Sequence, residues 1–167
     1  TDSEYVLVNL LRARQLAESY KAVDLAEMAE NAIAAGKSVV LFVNFSDTVD
    51  ALTARLHCGK IDGSQKPHER QFVIDEFQRD ESHCIVCNIS AGGTGISLHD
   101  TQGMRPRVSF ICPTFNSKDY QQVLGRIHRN GAKSDAIQQV LVAANSIEEH
   151  VMKSIIRKIA NHSDLHE

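Results

Sequence analysis

A glutamine and two arginines in the stretch YQQVLGRIHRNG, residues 120–131, are the side chains here best placed to meet a phosphate. Read as a helix at roughly 100° per residue, Tyr120, Val123, Leu124 and Ile127 share one apolar face. Their i, i+3, i+4, i+7 spacing is that of a core-facing stripe. Gln122, Arg126 and Arg129 gather within roughly 60° of one another on the opposite side. Gly125, at the edge of that polar face, leaves room for another surface to approach. An arginine so placed can stabilise charge on a transferring phosphoryl group. A solvated polar face has the same appearance, so the neighbouring loops must decide.

One such loop is SAGGTGISLHD, residues 90–100. Glycines bring backbone close to a ligand, and consecutive amides can cradle phosphate oxygens. Ser90 and Thr94 add hydroxyls. A flexible turn needs the same residues, so the loop alone leaves both readings open. Two other stretches imitate nucleotide motifs and fail on inspection. Ala35-Gly36-Lys37-Ser38 resembles the end of a phosphate loop, but Asn31 stands where its first glycine belongs, and the run follows a helix instead of opening one. Gly36 is more simply a helix terminator. Gly93-Thr94-Gly95 falls short of a dinucleotide fingerprint, because Leu98 occupies the third glycine position.

These residues need elements to position them. Residues 4–35 read as helix, in one or two pieces. VVLFV (39–43) reads as a buried strand, followed by a helix from about Asp47, its expected cap, to His57. A short strand over 58–62 leads to Asp62-Gly63. A helix with Pro67 in its first turn runs to about Arg79. CIVCNI (84–89) and VSFIC (108–112) are strands that flank the glycine-rich loop. The arginine helix follows, then a strand in QQVLVAA (138–144). A last helix starts at Ser146, with Ser146 and Glu149 as a capping box. Its apolar stripe is Ile147, Val151, Met152, Ile155, Ile156 and Ile159. Buried strands separated by helices predict an α/β fold, a parallel sheet with helices on both faces. Ligands of such sheets collect at the carboxyl ends of the strands, here after Val43, Asp62, Ile89 and Cys112.

Composition narrows the function. The 167 residues carry a net charge of -3, which excludes binding to nucleic acid by bulk positive charge. Contacts with a nucleic acid must come from backbone amides and a few cations. No apolar run approaches the ~18 residues of a membrane span. Cys84 and Cys87 form a CxxC, yet residues three apart on a strand point to opposite faces and cannot grip one metal. No metal ligands are assigned. Buried thiols of a reducing, intracellular protein fit the four cysteines better.

At this point a family resemblance becomes visible. Gln122-x-x-Gly125-Arg126-x-x-Arg129 resembles the sixth motif of superfamily-two helicases, and SAGGTGISL resembles their fifth in its Swi/Snf-like form. VVLFVNFSDTVDALTARL (39–56) is similar to the fourth. KIDGSQKPHERQFVIDEFQRD (60–80) is similar to the family's Asp-Gly-Ser stretch and following helix. SIEEHVMKSIIRKIA (146–160) resembles the closing helix. The motifs occur in order over nearly the whole chain.

The resemblance implies the second, C-terminal RecA-like lobe of a Swi/Snf-like helicase or DNA translocase. It implies a helical lead-in over 1–36, a sheet core over 37–145 and a closing helix over 146–162. ATP with Mg would sit between two lobes, with the Mg held mainly by the first. Arg129 would be the arginine finger, Arg126 a second phosphate contact, Gln122 a polar partner in the cleft, and Gly95 a neighbour of the nucleotide. Ser90, Gly92, Gly93, Gly63 and Ser64 would face the DNA backbone, with Asn44 and Phe45 bordering its path. The implied partners are the N-terminal lobe and double-stranded or forked DNA. The implied compartment is cytoplasmic for a prokaryotic or viral protein and nuclear for a eukaryotic one. The lobe alone is expected not to hydrolyse ATP.

Two departures stand out. Asn130-Gly131-Ala132 lacks the glutamine usual after the finger, and Ser97 replaces an asparagine common in the fifth motif. The alternatives are an RNA helicase lobe and a docking module without catalysis.

Overall fold

In the computed structural model, which describes residues 1–91, 96–127 and 129–163, five strands form one parallel sheet. The strands are β1 (Ser38–Val43), β2 (Gly59–Ile61), β3 (Cys84–Asn88), β4 (Arg107–Ile111) and β5 (Ile137–Val140), in the order β2-β3-β1-β4-β5. The helices are α1 (Asp2–Ala34), α2 (Ser46–Leu56), α3 (Pro67–Gln78), α4 (Ser117–Leu124) and α5 (Ile147–Ser163).

The three central strands explain the continuous apolar runs. Every residue of β1, β3 and β4 is buried, because both sheet faces are covered. Alternate residues serve alternate faces. Val39, Leu41 and Val43 pack with Leu25, Ala26 and Ala29 of α1 and Val49 and Leu52 of α2. Val40 and Phe42 pack with Ile74 and Phe77 of α3, Val123 of α4, and Ile96, Leu98 and Ile127. Cys84 and Cys87 fall on these two opposite faces, as their spacing predicts. The expected parallel sheet with helices on both faces is thus the observed architecture.

Local signals decide most boundaries. α1 is a single helix of 33 residues. It stops where Gly36 takes φ +85°, with Gly36 N–H on the Ile33 carbonyl and Lys37 N–H on the Ala32 carbonyl, both at 3.0 Å. That pair of bonds is a Schellman motif, and the positive φ favours glycine there. Pro67 opens α3, where its missing N–H costs nothing.

Several boundaries differ from expectation. Asp47 lies inside the first turn of α2, and Phe45, its N-cap, donates its own N–H to Glu18 of α1 at 3.0 Å. β5 is shorter than 138–144 and alternates exposed and half-buried residues, as an edge strand does. Ser146 receives the Glu148 N–H at 3.1 Å on its hydroxyl, while the Glu149 carboxylate reaches back to Asn145 N–H at 3.1 Å. The capping box therefore closes in a shifted register. Ile156 of the final stripe is exposed; Val151 and Ile155 carry the packing.

The largest difference concerns the arginines. α4 ends at Leu124, and Gly125 is its C-cap. Gly125 N–H bonds the Gln122 carbonyl and Arg126 N–H the Val123 carbonyl, both at 3.1 Å, so the chain tightens and leaves the helix. Ile127 stays buried because the turn keeps it over the core. The periodicity of residues 120–127 survives although the helix does not.

Candidate nucleotide and nucleic-acid site

The sheet order lines up the loops that follow β2, β3, β1 and β4 along one carboxyl edge. The loops after β2 and β3 share a construction. Asp62 Oδ1 accepts from Ser64 N at 2.9 Å and Ser64 Oγ at 2.6 Å. Asn88 Oδ1 accepts from Ser90 N at 3.0 Å and Ser90 Oγ at 2.7 Å. Each strand thus ends in an Asx-type turn with a serine two residues on. Burial acts upward on the Asp62 carboxyl, but the Ser64 hydrogen bonds and the Lys60 ammonium outweigh it and hold its pKa below the usual value. Gly63, Ser64 and Ser90 are exposed on this edge. A Cβ on Gly63 would lie 3.9 Å from Ala91 Cβ, so the two loops touch. Gly92, Gly93 and Gly95 fall outside the described residues.

Asn44 and Phe45 are half-buried and engaged. Asn44 Nδ2 donates to Glu18 Oε1 at 3.0 Å and the Pro113 carbonyl at 2.8 Å, while its own carbonyl accepts from Asn88 Nδ2 at 3.2 Å. Asn44 therefore ties the loop after β1 to β3 and to the loop after β4. The Arg14 guanidinium lies 5.8 Å from the Phe45 ring centroid and 4.8 Å from that of Phe115. The resemblance implies a place for these two residues at the border of the DNA path; in the structure both also make contacts within the lobe.

The arginines meet the segment that trails the glycine-rich loop. Three consecutive carbonyls of that segment accept from three different side chains. Arg126 Nη1 donates to Ile96 O at 3.1 Å, Gln78 Nε2 to Ser97 O at 3.0 Å, and Arg107 Nε to Leu98 O at 3.1 Å. Leu98 N–H returns a bond to the Arg126 carbonyl at 2.9 Å. Arg129 is exposed, with Nε on the Gly125 carbonyl at 3.0 Å and Nη1 on Ser97 Oγ at 2.8 Å. A guanidinium has five N–H donors; two of Arg129's are held by these bonds. Arg126 is only 5% exposed. Burial pushes its pKa down from the usual arginine value, and the neighbouring positive charges of Arg129 and Arg70 push the same way. Like charges gathered at one place make an anion welcome there. Gln122 remains on α4, exposed and no longer on a shared helical face with the arginines.

Four charged residues to which the sequence assigned no place in the site tie its elements together. Glu18 and Lys21 of α1 are buried. Lys21 Nζ lies 2.8 Å from Glu148 Oε1 and donates to the Leu141 carbonyl at 2.8 Å. Arg107, 1% exposed, also pairs with Asp80 at 3.0 Å and stacks 4.4 Å from the Phe77 ring centroid. Arg70 of α3 has a buried Nη2 without a hydrogen-bond partner among the described residues. Arg70 left a sequence signal, since it lies in the stretch that resembles the family's Asp-Gly-Ser region, and Lys21 left a fainter one, a slight similarity of the helical start to the fork-remodelling branch. Among the described residues, no group of three or more His, Cys, Asp or Glu is arranged to hold a metal. None of the helices described is long and apolar enough to cross a membrane.

Comparison with known proteins identifies the family. The model of the helicase conserved C-terminal domain matches residues 21–131. An Acanthamoeba polyphaga mimivirus protein, provisionally named an ATP-dependent RNA helicase, is 37% identical over 163 residues, 96% of this chain and 30% of its own length. The ATP-dependent helicase fft3 of Schizosaccharomyces pombe is 32% identical over 149 residues, 86% of this chain and 16% of its own. The crystal structure of the C-terminal part of the Fun30 ATPase domain superposes with a TM-score of 0.68 at 26% identity. It covers 79% of this chain and 43% of that one. The chain spans less than a third of the two relatives' lengths. A parallel sheet with two arginines gathered beside its glycine-rich loop, matched by this family over most of its core, makes the chain a helicase conserved C-terminal domain, the second RecA-like lobe of a Swi/Snf-like helicase.

Proposed function

We propose that this lobe completes an ATP site shared with an N-terminal RecA-like lobe of the same protein and grips DNA along the same carboxyl edge. Arg129 acts as the arginine finger, Arg126 as a second phosphate contact, Gln122 as a polar partner lining the cleft, and Gly95 as a neighbour of the nucleotide. One observation carries the reading. Arg129 is exposed and already oriented by Ser97 and Gly125, beside a second, buried arginine. That donor set fits a polyphosphate and does not fit a metal, so Mg would be held mainly by acidic residues of the first lobe. On closure, Arg129 meets the charge that develops on the transferring phosphoryl group. Loss of that charge after hydrolysis removes what Arg129 was holding, and the cleft relaxes.

The nucleic acid would lie against Gly63, Ser64, Ser90, Gly92 and Gly93, with Asn44 and Phe45 bordering its path. Amides and hydroxyls of this kind read the sugar-phosphate backbone, which needs no base sequence and suits a chain with net charge -3. A duplex or fork is the preferred partner. The lead-in over 1–36, the core over 37–145 and the closing helix over 146–162 act as one lobe. The compartment is nuclear if the host is eukaryotic and cytoplasmic if it is prokaryotic or viral.

A second reading, an RNA-driven motor, is favoured by the name of the mimivirus relative. ATP hydrolysis by the full-length protein, measured alone, with duplex DNA and with RNA, separates the two. Stimulation by duplex DNA is the expected result. Stimulation by RNA alone would move the protein to the second reading. No hydrolysis in any condition would leave a docking lobe.

A further inference from the structure

We propose that Gln78 and Ser97 are positioning residues for Arg129, which they hold at the reach needed to meet a phosphate. The inference rests on the reading of Arg129 as the finger. An exposed arginine loses much rotamer freedom when it docks on an anion, and a prior hold reduces that loss. Ser97 provides the hold through two of its groups. Its hydroxyl accepts from Arg129 Nη1 at 2.8 Å, and its carbonyl accepts from Gln78 Nε2 at 3.0 Å. Gln78 is the last residue of α3, and its Oε1 accepts from Arg107 Nη2 at 3.2 Å. Arg107 is anchored in turn by Asp80, the Leu98 carbonyl and the Phe77 ring. A continuous chain of hydrogen bonds therefore runs from a buried arginine at the start of β4, through α3 and Ser97, to the exposed arginine.

The chain reaches Arg129 without passing through the helix that precedes it. α4 ends five residues earlier, at Leu124, so helical rigidity does not extend to the finger. Among the described residues, the local backbone holds the Arg129 side chain through the Gly125 carbonyl. The hydroxyl at position 97 is the contact that comes from elsewhere in the fold. This also gives a task to the serine that replaces the family's common asparagine.

The test uses the full-length protein with whichever nucleic acid stimulates it. Ser97→Ala should lower kcat roughly tenfold, as loss of one hydrogen bond to a charged group does, with KM for ATP changed by less than about twofold. Ser97→Thr, which keeps the hydroxyl, should recover most of the rate. Gln78→Glu keeps an acceptor for Arg107 but cannot donate to Ser97, and should lower kcat in the same sense without lowering the unfolding midpoint. In an Arg129→Lys background with residual activity, Ser97→Ala should cost little more. An undiminished cost in that background would mean that Ser97 acts through loop integrity, and would overturn the proposal. If Arg129→Ala removes hydrolysis while Ser97→Ala and Gln78→Glu leave kcat unchanged, the finger stands and the positioning role falls. If Arg129→Ala leaves kcat unchanged, the finger reading fails first.

Discussion

Glu18 and Asn44 are joined twice through a single carboxylate oxygen: Glu18 Oε1 accepts from the Asn44 backbone N–H at 2.8 Å and from Asn44 Nδ2 at 3.0 Å. The other oxygen accepts from Phe45 N–H at 3.0 Å and Thr48 Oγ1 at 2.8 Å. Glu18 is 0% exposed, so these donors replace its water entirely. They sit at the N-terminus of α2, where backbone N–H groups lack helical partners and a negative charge is favoured. Glu18 on α1 thus holds the two residues that lead into α2 and the Thr48 hydroxyl of its first turn.

Glu18→Ala removes the acceptor of the Asn44 and Phe45 N–H groups and of the buried Thr48 hydroxyl, while Asn44 Nδ2 keeps the Pro113 carbonyl. Each donor left without an acceptor costs about 1–3 kcal/mol unless water enters. Urea unfolding of the 167-residue lobe should show a loss of at least about 3 kcal/mol on that basis. A loss below 1 kcal/mol, set against the same expectation, would mean that the turn rehydrates and that Glu18 is not its support.

Lys21 and Glu148 form the second tie between α1 and this edge, with side chains 8% and 4% exposed. Removing one partner of a buried pair strands the other charge, at about 3–5 kcal/mol. Lys21→Met should therefore destabilise strongly, and Lys21→Met with Glu148→Gln should recover much of the loss. A double-mutant cycle measures the coupling. Additive losses in the cycle would show that the two charges do not depend on each other.

The cysteines give the lobe a pH dependence. Burial pushes the Cys87 thiol up to about 12 and raises Cys112 as well. A hydrogen bond with Cys58, then burial, raises Cys84 well above its ordinary value, and the same bond lowers Cys58. In the unfolded chain thiols ionise near 8.5. Raised folded values mean that stability is fully present below that pH and is lost as pH rises toward about 12. Each raised thiol contributes a slope of about 1.4 kcal/mol per pH unit in that window. Equilibrium unfolding between neutral and strongly alkaline pH should show the decline. Iodoacetamide at mildly alkaline pH should label Cys58 before the other three; early labelling of Cys87 would contradict its burial.

The apolar runs of β1, β3 and β4 made the sheet legible, because strands buried on both faces are mostly apolar, with Ser109 the polar side chain inside β4. Gly36 and Pro67 marked helix ends for reasons of backbone geometry that act locally. The site was legible as a set of motifs but not as an arrangement. Ile127 keeps the helical period after the helix has ended, so the period cannot reveal the turn at Gly125. Buried charges are harder still. The partners of Glu18 lie 26 to 30 residues away and the carbonyl that holds Lys21 lies 120 residues away. A lone glutamate or lysine on a long helix reads as solvated until its partner's position is known. Ser97, visible only as a departure from a pattern, acquired a task once Arg129 was found against it.

Arg129 provides the sharpest separation of functions. Its guanidinium stands at the 96–98 segment, held by Ser97 and Gly125, whereas the proposed nucleic-acid contacts come from the turns at Gly63, Ser64 and Ser90. The turns are built on the Asp62 and Asn88 side chains, which accept from Ser64 and Ser90. In the full-length protein, Arg129→Ala should lower kcat for ATP by about 10³- to 10⁵-fold, the usual worth of an arginine finger. Duplex affinity without nucleotide, measured by fluorescence anisotropy, should stay within about threefold, because one exposed cation contributes little to backbone binding. A parallel collapse of hydrolysis and affinity would place Arg129 on the nucleic acid, leaving the buried Arg126 as the nearer partner of the nucleotide.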